Sequence, residues 1–177
     1  MRRLDPTQPT STKWLIGTVA GAASYVVASS RALPERVASH FDARGVADVF
    51  VARDRYVSGM LLATIASPLA IFLIVRQMRR LPAGWINLPN KGYWLAPSRS
   101  ATTYAWIEAH AGWLGVLLTL FLAFVHSRVV AANALDPPAL GSMPFAIGLI
   151  FFLAAVFVWA GALNARFRRS AHVRMQR

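Results

Sequence analysis

The chain has 177 residues, enough for one domain, of which 56% are hydrophobic and only 15% charged, with a mean hydropathy of +0.44. A soluble domain carries about a quarter charged residues. The absence of cysteine excludes disulfides, thiolate metal sites and cysteine nucleophiles. A net charge of +12 would suggest nucleic acid in a soluble protein. Here the bases cluster at the ends of apolar runs, so the expected partner is a bilayer with anionic headgroups and not nucleic acid.

Four runs contain no Asp, Glu, Lys or Arg: Trp14–Ser30 with 17 residues, and Val57–Val75, Ala109–Ser127 and Phe145–Leu163 with 19 each. Nineteen helical residues extend about 29 Å, close to the roughly 30 Å hydrocarbon core of a bilayer. One such run fits a buried core helix; four of matched length predict membrane spans. The expected fold class is all-α: a polytopic membrane protein built as a four-helix transmembrane bundle, with a short external polar turn segment and an interfacial cytoplasmic loop. The spans fall at about 14–31, 56–76, 105–131 and 144–165, in a single membrane domain over 1–177.

In the first span Gly17, Gly21, Ser24 and Ala28 line up small residues as helix-packing faces do. Arg2, Arg3, the apolar run and the small Ala28 and Ser30 also fit a signal peptide, although the run is slightly long for one. The external segment 32–55 contains "HFDARGVADVF", where Asp42 is placed to cap a turn and Gly45 to take positive φ. Val49, Phe50 and Val51 suit a short strand or a segment lying on the membrane face. His40 and the aspartates lack both the alternating ligands of an EF-hand and an HExxH motif. A structural turn bonding backbone amides is therefore preferred to a metal site.

The second span contains Pro68, which removes one backbone hydrogen bond and predicts a kink. The link 77–104 is interrupted by Pro82, Pro89 and Pro97, and Asn90-Lys91-Gly92 reads as a tight turn. Its Trp85, Ile86, Leu88, Tyr93, Trp94 and Leu95 place it at headgroup level or make it a docking surface.

In the third span Glu108, Gly115, Thr119, His126 and Asn133 fall within about 20° of one line, with Gly112 beside them. Trp106, Trp113, Leu117, Phe121 and Phe124 occupy the opposite side, which is expected to face lipid. Glu108 and His126 should point into the bundle, either as interhelical hydrogen-bonding groups or as a proton or ligand pathway. His110 falls on the bulky side near the cytoplasmic end, in an interfacial position. The fourth span follows Pro144 and is apolar except for Trp159, expected as an interfacial anchor.

Lys and Arg number thirteen in the N-terminal tail, the segment Arg76–Arg99 between spans two and three and the C-terminal tail, against six in the other two connections. The richer side should be cytoplasmic, which puts both termini inside and the segment 32–55 outside.

"LPERVASHFDARGVAD" resembles the LP-x-x-hydrophobic-P-x-H-[FW]-[ND]-x-x-G-x-x-D pattern of a bacterial membrane domain of unknown function. That domain also forms the front part of SdpI-type toxin-peptide immunity proteins. The matching positions are Leu33, Pro34, Val37, His40, Phe41, Asp42, Gly45 and Asp48, and "NLPNKGYWLAP" is similar to the second hallmark of the stand-alone, four-span members. Ala38 replaces the family's usual proline, Val46-Ala47 its Glu-Pro, and Val51-Ala52-Arg53 its Gly-Ser-Lys-like continuation.

The resemblance implies an inner-membrane protein acting in envelope protection or signalling through ligand or partner recognition. His40, Phe41, Asp42, Gly45 and Asp48 are then the candidate binding residues, with Pro89, Asn90, Lys91, Tyr93 and Trp94 as the interfacial motif. The polar face Glu108, Thr119, His126 and Asn133 would serve the alternative, a small transporter or proton-pathway subunit. An accessory subunit of a larger complex, with a protein partner or a second copy, is the third reading. No HExxH, Gly-x-Ser-x-Gly or convergent acid pair points to an enzyme, and nothing calls for a cofactor or metal.

Overall fold

A computed structural model describes residues 10–168. Arg2, Arg3, Arg169, Arg174 and Arg177 of the charge count lie outside the described residues. Helix α1 spans Thr10–Ser29 and ends in a 3-10 turn, Ser30–Ala32. Strands β1 (Arg36–Phe41) and β2 (Ala47–Ala52) follow, and β2 runs directly into α2, Arg53–Gln77. The link carries a single helical turn, α3 (Lys91–Trp94), before α4 (Ser100–Asn133) and α5 (Ser142–Arg168).

Among the described residues, three helices are long and apolar enough to cross a membrane: Arg53–Arg80, Ser100–Asn133 and Ser142–Arg168. Helix α1 is less apolar because Lys13 and several Ser and Thr residues interrupt it. The helices outrun the charge-free stretches. Asp54 in the first turn of α2 complements the helix dipole, and the 34 residues of α4 extend about 51 Å, well beyond a roughly 30 Å hydrocarbon layer.

The all-α expectation needs correction, because the segment 32–55 contains an antiparallel hairpin and not merely a polar turn. Val37 and Ala38, adjacent in β1 and pointing to opposite faces, are both buried, while β-branched and aromatic Val49, Phe50 and Val51 favour the extended partner strand. The register pairs Arg36 with Ala52, Val37 with Val51 and Ala38 with Phe50, then becomes irregular around Ser39 and Asp48.

Helix α4 is the centre of the bundle, and its small-residue face takes α1 and α2. A Cβ at Gly112 would lie 2.8 Å from Ser11 Oγ, and one at Gly115 2.8 Å from Leu15 Cδ1 and 3.5 Å from the Pro68 carbonyl. A larger residue at either position would push the Ser11 or Leu15 side chain aside, and Leu15, Val19 and Phe72 pack there with Leu69 and Val116. Helix α2 continues through the buried Pro68.

Two packing expectations are overturned. The stripe Gly17, Gly21, Ser24 and Ala28 is exposed, and nothing among the described residues lies within 4 Å of a Cβ at either glycine. Because α4 supplies the space-saving glycines, α1 turns its larger Leu15, Val19 and Val26 inward instead. The bulky side of α4 also meets protein. Phe121 stacks on Phe152 at 4.1 Å between ring centroids, and the Phe124 ring occupies the space over Gly148. Trp113 remains exposed as expected, whereas Trp159 is half-buried against His110 and does not sit free at the interface.

Candidate functional site

The hairpin tip is folded by Asp42. Its Oδ1 accepts the N–H groups of Val46 (2.8 Å) and Arg44 (2.9 Å), while the Gly45 N–H donates to the Asp42 carbonyl (2.9 Å). The bond from the Val46 N–H, helped by the Arg44 side chain, holds the Asp42 carboxyl below the ordinary carboxylate range. Gly45 is required twice over. Its φ is +83°, and a Cβ there would run into the Leu140 backbone carbonyl. Leu140 N–H donates to the Gly45 carbonyl at 2.9 Å, and Val46 forms a bridge with Ala139, so the tip is moored to the α4–α5 connection.

A second mooring lies at the middle of β1. Asn133, in the last turn of α4, accepts the Ala38 N–H through Oδ1 at 2.8 Å and donates Nδ2–H to the Ala38 carbonyl at 3.0 Å. Its other Nδ2–H reaches the Val129 carbonyl at 2.9 Å. The side-chain amide thus takes the place of a neighbouring strand for a fully buried residue whose backbone groups face away from β2. Beneath it Leu33, Val37 and Val129 form a small core with Phe41, Tyr56 and Val130. Arg53 closes the base, its guanidinium on the Leu33 carbonyl at 3.0 Å and its N–H on the Glu35 carbonyl at 2.9 Å.

Two turns below Asn133, His126 is completely buried and joins three helices. Nε2 lies 2.9 Å from Ser29 Oγ on α1, and Nδ1 lies 3.0 Å from the Tyr56 hydroxyl on α2. The network assigns the protons. Ser29 commits its hydroxyl hydrogen to the Tyr25 carbonyl at 2.6 Å, so it must accept from His126 Nε2–H. Nδ1 is then the acceptor for the Tyr56 O–H. The chain runs Tyr56 to His126 to Ser29 to the Tyr25 carbonyl, with the imidazole neutral and every partner satisfied. Tyr56 stacks along the ring and Tyr25 meets it edge-on.

The predicted line on the third span therefore faces inward, with Gly112, Gly115, Thr119 and His126 all buried. Its members do not join into one path, however. Thr119 bonds back to the Gly115 carbonyl, and Glu108, near the other end of α4, sits 3.7 Å from Arg76 Nε. In the hairpin His40 Nδ1 meets Asp48 Oδ1 at 2.6 Å, both exposed, while Phe41 packs inward. No group of three His, Asp or Glu converges as a metal site among the described residues.

The 77–104 link has a definite structural task. Asn90, at φ +55°, opens α3, and its Nδ2–H and the Trp94 Nε1–H both donate to the Phe167 carbonyl, at 3.0 and 3.2 Å. The Thr103 hydroxyl donates to the Trp94 carbonyl (2.9 Å), and Lys91 reaches the Gly84 carbonyl (3.3 Å). Tyr93 lies under the Arg99 guanidinium, and Pro89 is exposed. These side chains secure the end of α5. Beside them His110, stacked between Trp106 and Trp159, donates to the Trp159 carbonyl and receives the Trp159 indole N–H on its own carbonyl.

The partners of His126 are what sequence periodicity missed. Ser29 and Tyr56 are 97 and 70 residues away and stand at the edges of apolar runs, where nothing marks them as polar contacts. Asn133 was visible as a polar position on the right face, but its backbone target was not. No family model, curated protein or solved structure matches the chain.

Proposed function

We propose that the chain is a four-span protein of the bacterial inner membrane, with α1 as the fourth span and both termini cytoplasmic, whose external hairpin recognises a ligand or protein partner. The observation that carries this reading is the hairpin itself. It is moored through Asn133 and Leu140, yet it leaves Val46, Val49 and Phe50 exposed beside the His40–Asp48 pair. Exposed apolar and polar side chains on a pre-organised hairpin lose little entropy on binding, which suits recognition. Envelope protection of the kind implied by the resemblance to SdpI-type proteins is the proposed role, and it needs no catalytic group. Deleting the gene should sensitise cells to membrane-active peptides. Wild-type protein should restore resistance, and a Val49→Asp, Phe50→Asp variant reaching the membrane in normal amount should not. Unchanged sensitivity on deletion would overturn protection.

A second reading is supported by the continuous Tyr56–His126–Ser29 chain, which is the arrangement a proton-pathway subunit would use. It requires that purified protein in liposomes conduct protons and that His126→Ala abolish the flux. Flux equal to that of empty liposomes removes it.

A further inference from the structure

The outward side of α1 and α2 carries a groove apart from the His126 chain, sharing with the hairpin only Arg53, one of whose guanidinium nitrogens is on the Leu33 carbonyl. Two adjoining hollows, each about 560 Å3, share Val27 and Arg31. That size lies within the roughly 300–1,000 Å3 of small-molecule sites. The hollow next to the hairpin is bordered by Ser30, Arg31, Arg53 and Asp54; the deeper one by Ala23, Val27, Ala28, Leu61 and Ile65. The groove is thus charged at its mouth and apolar along its floor. From Arg53 to Ile65, α2 advances about 18 Å, close to the hydrocarbon depth of one leaflet.

Two features at the mouth lack partners. Arg31 makes no ion pair or side-chain hydrogen bond among the described residues. Ser30 is 6% exposed, and its buried hydroxyl finds no hydrogen-bond partner among them either. A buried hydroxyl left unpaired is costly, and its place on the groove wall points to a ligand oxygen there. Two guanidiniums against the single Asp54 carboxylate favour an anion, and Arg is the side chain best matched to phosphate. The floor runs beside the exposed small-residue stripe of α1, so that a slender chain can lie against the helix where nothing among the described residues does.

We infer that the groove between α1 and α2 binds one anionic phospholipid, its phosphate held by Arg31, Arg53 and the Ser30 hydroxyl and one acyl chain lying along Val27, Leu61 and Ile65. The inference rests on the membrane reading above and adds a specific lipid site to it.

The test is native mass spectrometry of the full chain, purified in mild detergent and offered equimolar dioleoyl phosphatidylglycerol and dioleoyl phosphatidylcholine. The wild type retains one phosphatidylglycerol with about tenfold preference, because both lipids offer a phosphate but phosphatidylcholine also brings a choline cation towards Arg31 and Arg53. Arg31→Ala, which disturbs no side-chain bond among the described residues, brings the two lipids near parity. Ile65→Trp, which fills the floor at an exposed position, lowers retention of both while helical circular dichroism is kept. Equal retention by the wild type, or an unchanged preference in Arg31→Ala, overturns the site. Displacement of the lipid by millimolar inorganic phosphate also overturns it, because an anion site without a lipid chain would then suffice. Alkaline carbonate extraction separates the two levels: release of the chain from membranes would refute the membrane reading, whereas a retained chain without lipid preference refutes the lipid site alone.

Discussion

The side-chain amide of Asn133 pairs with both backbone groups of Ala38, 95 residues earlier in the chain. One residue at the end of α4 thereby does for β1 what a third strand would do. Replacing it with leucine, similar in size but unable to bond, orphans a buried N–H and a buried carbonyl, each worth about 1–3 kcal/mol. Hydrogen exchange at the β1 amides should accelerate at least about tenfold while exchange in α4 changes little. Equal protection in Asn133→Leu and the wild type would show that the hairpin is held by other means.

The Asp42 turn should respond to acid in a definite direction. Its carboxyl is held below the ordinary 3.8 chiefly by the Val46 N–H, so the folded turn prefers the charged form. Above the ordinary carboxylate range the group is ionised whether or not the turn is folded, and the stabilisation is complete. It erodes as pH falls from that range and is gone once pH has passed below the lowered native value. The Val46 amide resonance should therefore titrate with a midpoint under 3.8, and Asp42→Ala should remove the transition. A midpoint at or above that value contradicts the hydrogen bonding described.

The proton arrangement at His126 makes Tyr56 and Ser29 interdependent, since one ring must accept on Nδ1 and donate on Nε2 at once. Tyr56→Phe and Ser29→Ala should each lower the unfolding free energy by about 0.5–1.5 kcal/mol for one lost hydrogen bond, read as a lower thermal midpoint. In the double variant the ring is free to reorient, and the two losses should fail to add by about 0.5 kcal/mol or more. Losses additive to within about 0.3 kcal/mol would mean that the ring does not couple them.

Much of this architecture was legible in sequence. The charge-free runs marked the long helices, and the period of Gly115, Thr119 and His126 identified the inward face of α4, because burying polar groups and close-packing backbones leave a 3.6-residue rhythm. The stripe on α1 carried the same rhythm and was misleading. Small residues permit a close approach but do not say which helix uses it, and here the approach is made at Gly112 and Gly115 of α4 while Gly17 and Gly21 face no other element among the described residues. The hairpin was half-visible in Asp42, Gly45 and the Val49–Val51 run, but its pairing to Asn133 joins segments too distant for any local pattern. The docking of Asn90 and Trp94 on the Phe167 carbonyl was likewise hidden, since an aromatic loop between spans looks the same whether it meets lipid headgroups or a helix end.

The chain contains no cysteine, so single cysteines can report sidedness without background. The most direct test of the proposed architecture is labelling of Val49→Cys in the hairpin and Trp85→Cys in the 77–104 link with a membrane-impermeant maleimide in intact cells. Both positions are exposed. Val49→Cys should label at once, and Trp85→Cys only after the membrane is permeabilised. Labelling of Trp85→Cys from outside with protection of Val49→Cys, or equal access to both, would contradict an external hairpin on a four-span bundle.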